Sequence, residues 1–84
     1  MRYCLITFRS VTPAQRSERV LRKAGVGCAL QRTPRWMEEQ GCGYSLRLRL
    51  EDVLPGVELL RAQDIPFRKV YRPKENGAME EMVL

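Results

Sequence analysis

The 84-residue sequence predicts an α+β fold, ferredoxin-like in its βαββαβ order, with a four-stranded antiparallel sheet and two helices on one face. Three observations predict it. Apolar residues alternate strictly with polar ones over 44–50, and a β-branched and aromatic run fills 3–9. Two stretches, 13–24 and 53–63, space their apolar residues at helical intervals. At this length there is one domain, taken as residues 1–72, and a tail over 73–84.

The first strand covers residues 3–9, with Cys4, Ile6 and Phe8 on one face. Thr12, Pro13 and Gln15 then form a capping sequence that starts the first helix, and Gly25 ends it. Ala14, Ser17, Val20, Leu21 and Ala24 make its inner side. Val26, Cys28 and Leu30 alternate through a second strand that runs to Arg32, where Thr33-Pro34 breaks it. Residues 33–43 follow without a strand pattern. In the third strand, Tyr44, Leu46, Leu48 and Leu50 face the core and Ser45, Arg47 and Arg49 face outward. Asp52 caps a second helix that buries Val53, Leu54, Val57 and Leu60. Ile65-Pro66-Phe67 leads into a last strand that runs to about Arg72, and its inward parity is open because Phe67 and Tyr71 oppose Val70. The tail is either loose or docked through Met79, Met82 and Val83.

Composition excludes several chemistries. The chain has no histidine, so Ser-His-Asp triads, Cys-His dyads and imidazole metal sites are all unavailable. The three cysteines, Cys4, Cys28 and Cys42, lack the close pairing of structural zinc sites, and no metal or other cofactor is expected. No apolar run approaches the length of a membrane span, which makes a cytoplasmic protein with reduced thiols the simplest expectation. The net charge of +5 is uneven. Residues 1–50 carry ten basic and three acidic side chains (+7), and residues 51–84 carry five and seven (−2).

Basic sheets of this class often bind RNA by stacking bases on aromatic residues of the central strands. Here the outward side chains of the third strand are Ser45, Arg47 and Arg49, so that mode fails and nucleic acid is not the expected partner. Gly25-Val-Gly27 follows a helix and opens a strand, the wrong context for a phosphate loop. Glu38-Glu39 reads as a loop pair and Glu51-Asp52 as a helix start. Among the thiols, Cys4 and Cys28 fall on inward strand faces, where a thiol acts as a small apolar group. Cys42 differs. Gly41 and Gly43 leave its sulfur unshielded and free backbone N–H groups to face an anion, and Arg32 and Arg35 add positive potential that favours thiolate. The segment reads either as a reactive site or as an ordinary turn. With no base nearby, hydrolysis is a poor fit, but a thiolate alone suffices to accept and release a sulfur or selenium atom.

The segments Tyr3–Ser10, Leu21–Val26, Arg32-Thr-Pro-Arg35, Cys42-Gly43, Glu51-Asp52 and Tyr71-Arg72 resemble the family of selenium/sulfur carrier-like proteins, a small bacterial domain, over residues 3–72. The resemblance implies a carrier that takes a persulfide or perselenide on Cys42 from a cysteine or selenocysteine lyase and passes it to an acceptor enzyme. Trp36-Met37-Glu38-Glu39-Gln40 departs from the small polar residues associated with the family, and Trp36 either covers Cys42 or anchors its loop. The alternative from the residues themselves is a non-enzymatic binding or regulatory module. It would dimerise, or hold a small anion, through the open sheet face at Arg47 and Arg49, and a third reading is non-specific contact of a nucleic-acid backbone with Arg9, Arg47 and Arg49.

Overall fold

The computed structural model describes residues 2–33 and 43–83. Among them, strands β1 (Tyr3–Phe8), β2 (Cys28–Arg32), β3 (Tyr44–Arg49), β4 (Val70–Pro73) and β5 (Met79–Glu81) form one antiparallel sheet in the order β2-β3-β1-β4-β5. Helix α1 (Val11–Lys23) follows β1, and α2 (Val53–Ala62) follows β3 through a 3₁₀ turn at Leu50–Asp52. The sheet has five strands, not the expected four. Lys74 to Ala78 turn the chain back through Lys74 N–H donating to Ala78 O, and residues 79–81 then pair with β4. The sequence hides this strand because Met79-Glu80-Glu81 has no apolar alternation, and Arg72–Glu80 and Lys69–Glu81 ion pairs tie it on instead. Met82 packs against the core and its N–H donates to Val70 O at 2.7 Å, whereas Val83 is exposed.

Registers explain the core. Cys4 pairs with Leu48, Ile6 with Leu46 and with Val70, and Leu30 with Leu46, so these side chains leave the sheet on one side. There they meet Ala14 and Leu21 of α1 and Val53, Val57 and Leu60 of α2 in one buried cluster. The parity of β4 is thereby resolved: Val70 points to the helices, and Tyr71, opposite Leu5, to the other face. Each fully buried Leu, Ile or Phe contributes about 1.5–3 kcal/mol. Gly56 lets α2 approach closely, since a Cβ there would sit 3.3 Å from Leu48 Cδ1 and 3.4 Å from Leu21 Cδ2.

Local sequence signals mark one helix end and mislead at others. Gly25 (φ +86°) ends α1 as expected, with Val26 N–H donating to Leu21 O and Gly25 N–H to Arg22 O, the Schellman pattern. The N-cap is Ser10, not Thr12, and its side chain makes no capping bond; Thr12 and Pro13 lie inside the first turn. Asp52 takes the N-cap position of α2 but likewise makes no side-chain cap bond, because the 3₁₀ turn before it supplies local bonding. Strand β2 begins at Cys28, two residues after Val26, whose N–H is already used in the helix end. Leu54, expected inside, is 56% exposed. Ala24, also placed on the inner side of α1, is exposed as well.

Helix α2 ends in the same Schellman pattern, with Ile65 N–H on Leu60 O and Asp64 N–H on Arg61 O, but its left-handed residue is Asp64 (φ 55°). A carboxylate also sits unfavourably at a helix C-terminus. Asp64→Gly is therefore expected to raise stability by about 0.5–1 kcal/mol, seen as a higher urea midpoint with an unchanged slope. Removing residues 74–84 deletes β5 and the Met82 contact, and is expected to cost about 1–3 kcal/mol in the same measurement.

Candidate functional site

Tyr44 lies opposite both Phe8 of β1 and Arg32 of β2, so the C-terminal ends of β1 and β2 and the start of β3 share one end of the sheet. Just beyond the ladder, Thr33 N–H donates to Gly43 O at 3.0 Å, which ties together the two residues that bracket segment 34–42. Gly43 is buried, and Arg32 sets its guanidinium 5.7 Å from the Tyr44 ring centre. Of the residues singled out from sequence, Arg32 and Gly43 thus stand at this end. Cys42, Gly41, Arg35 and Trp36 lie outside the described residues.

Two buried hydroxyls flank the same segment. Among the described residues, Thr33 Oγ1 and Ser45 Oγ have no hydrogen-bond partner, and Ser45 is fully buried although its strand position faces away from the helices. Leaving a buried donor unsatisfied costs about 1–3 kcal/mol.

Arg47 and Arg49 project from the face opposite the helices, as their alternation with Leu46 and Leu48 requires. Both are engaged within the chain. Arg47 stacks 4.8 Å from the Tyr3 ring centre, and Arg49 pairs with Glu51 at 3.3 Å. They stand on the far half of the sheet from Gly43, opposite Leu5 and Tyr3 respectively. The open-face residues and the segment bracketed by Thr33 and Gly43 are thus two separate regions.

Sequence reading missed the wider basic character of the Gly43 end. Thr7 N–H donates to Lys69 O and Arg68 N–H to Thr7 O, both at 2.8 Å, which brings residue 68 beside the end of β1. Arg9 follows β1 and Arg16 lies in α1, which starts there, so three arginines separated by up to 59 positions join Arg32 at one end. No local motif encodes this; only the β1–β4 pairing produces it.

The two described thiols are unsuited to nucleophilic work. Burial pushes the Cys4 thiol above its ordinary value, and Arg72 only partly offsets it. Burial likewise pushes up Cys28, against the opposing charge of Arg22, and its Sγ lies 3.9 Å from Glu18 O. Among the described residues no cluster of three or more Cys, Asp or Glu side chains could hold a metal ion. No described helix is long and apolar enough to cross a membrane.

The Cys4 shift has a consequence for stability. A thiol whose folded pKa lies above its unfolded value favours the fold fully below about pH 8.5, and the contribution is lost as pH rises through the folded value. Urea midpoints of the wild type are expected to fall as pH rises above about 8.5, and to fall less in Cys4→Ala. Parallel pH curves for the two proteins would contradict a titrating buried thiol.

Residues 3–72 match the family model described as "Putative Se/S carrier protein-like". Strand β5 lies beyond the matched span. No curated protein and no solved structure matches the chain.

Proposed function

The chain belongs to the Se/S carrier protein-like family, and from that premise we propose that it carries sulfur or selenium on Cys42 between a donor and an acceptor protein. The observation that carries this reading is the family match itself, which spans the Cys42-Gly43 pair. Two physical features support it. The next residue after Cys42 is held by the Thr33–Gly43 hydrogen bond at a sheet end rich in arginine, a setting that favours anions. Cys4 and Cys28 are biased toward the neutral thiol, which leaves Cys42 as the cysteine for the role.

The chemistry needs little from the protein. The Cys42 thiolate attacks the terminal sulfur or selenium of a donor persulfide or perselenide, a new bond forms at Cys42, and the donor's cysteine leaves as thiolate. One bond to the chalcogen replaces another, so no external oxidant or reductant enters. A second thiolate, on the acceptor, takes the atom by the same step in reverse. Neither step requires a histidine, because donor and acceptor can handle the proton. Cysteine or selenocysteine lyases supply donors of this chemistry, and the reaction belongs in a reducing, cytoplasmic compartment.

Incubation with such a lyase and its amino-acid substrate, read by intact mass, tests the reading. Wild type, Cys4→Ala and Cys28→Ala are expected to gain one sulfur or selenium atom, and Cys42→Ser none. Gain by Cys42→Ser equal to wild type, or no gain by any of the four proteins, would refute it.

A further inference from the structure

A cleft of about 520 Å³ opens at the arginine-rich end of the sheet, between the start of α1 and the segment that enters β4. Its volume falls in the range of small-molecule sites. Arg9, Arg16 and Arg68 line it, and no described carboxylate does. Among the described residues, Arg9 and Arg16 have neither an ion-pair nor a hydrogen-bond partner for their guanidinium groups. This is unlike Arg22, Arg49 and Arg72, each of which meets a glutamate.

The rest of the wall is apolar. Pro13, Pro66 and the half-buried Phe67 ring form it, and Arg61 stands 5.9 Å from the centre of that ring. Ser10 and Thr12 add hydroxyls at the rim. The first turn of α1 contains no acidic residue, and the Ser10 side chain makes no capping bond, so nothing in that turn cancels the positive potential of the arginines. The guanidinium groups of Arg9 and Arg16 beside a flat apolar wall match a ligand that is anionic at one end and a ring at the other.

We propose that this cleft binds an aromatic phosphate monoester, its phosphate held by Arg9 and Arg16 and its ring laid against Phe67 and the two prolines. The proposal does not rest on the cysteine chemistry. Both arginines are exposed, so the phosphate stays partly hydrated and the binding is of modest strength.

The test is a ¹H–¹⁵N NMR titration of the full chain with 1-naphthyl phosphate, alongside inorganic phosphate and 1-naphthol. Naphthyl phosphate is expected to shift amides over residues 9–16 and 66–68 and to bind more tightly than either fragment. The double variant Arg9→Gln/Arg16→Gln should keep the wild-type spectrum and lose about tenfold in affinity. Phe67→Leu should weaken naphthyl phosphate several-fold and leave inorganic phosphate unchanged. Undiminished affinity in the double variant, shifts centred on Arg47 and Arg49, or inorganic phosphate binding as tightly as the naphthyl ester would each overturn the proposal.

Discussion

The register of β1 against β3 is the constraint on which the rest depends. Because side chains alternate along a strand, a slip of one residue would send Cys4, Ile6 and Phe8 to the solvent face and bring Leu5 and Thr7 to the helices. The observed pairs put Cys4 on Leu48 and Ile6 on Leu46, and this apolar strip is what α1 and α2 cover. Strands β2 and β4 attach on either side in the same parity, so one register choice orders the whole layer. The close approach at Gly56 follows from it, since that helix position meets Leu48 only when Leu48 points inward.

The same register determines what gathers at each end of the sheet. At one end, the finish of β1 stands beside the start of β3, the end of β2 and, through Thr7, residues 68 and 69. Loops and helix starts converge there, with Arg9 and Arg16 lacking an ion-pair partner among the described residues. At the other, Arg49 has Glu51 and Arg72 has Glu80, and the charges are largely answered locally. Exposed pairs of this kind add only about 0–1 kcal/mol each to stability, so their main effect is on where positive potential remains. It remains at the Gly43 end.

Much of the fold was legible because periodicity and burial agree. The alternation over 44–50 and the Cys4-Ile6-Phe8 face led directly to the core, and Gly25 marked a real helix end. What failed were features in which several local solutions compete. Ser10, Thr12 and Asp52 are all capable caps, yet none of the cap positions is filled by a side-chain bond, and backbone context chose among them. Strand β5 was invisible since its pairing relies on main-chain bonds and on glutamates meeting Arg72 and Lys69, which leave no apolar pattern. Within the candidate site, Arg32 and Gly43 could be named from sequence because they flank the segment directly. Arg16 and Arg68 could not, for their proximity exists only after β1 and β4 pair.

Charge segregation ties the absence of histidine to the kind of chemistry the fold can support. Without an imidazole, no side chain here titrates near neutrality in its ordinary state, so an anion can be stabilised only by fixed positive charge and backbone dipoles. Burial works against this at Cys4 and Cys28, where removing water penalises the thiolate more than Arg72 or Arg22 restores it. A thiolate that is to persist near pH 7 must therefore stand where water or guanidinium groups still reach it. Among the described residues, the sheet end bounded by Thr33 and Gly43 is where arginines gather around a cleft that no carboxylate lines. Transfer between thiolates asks for that condition and for no general base, so a histidine-free domain with a small core meets the demands of the proposed carrier chemistry.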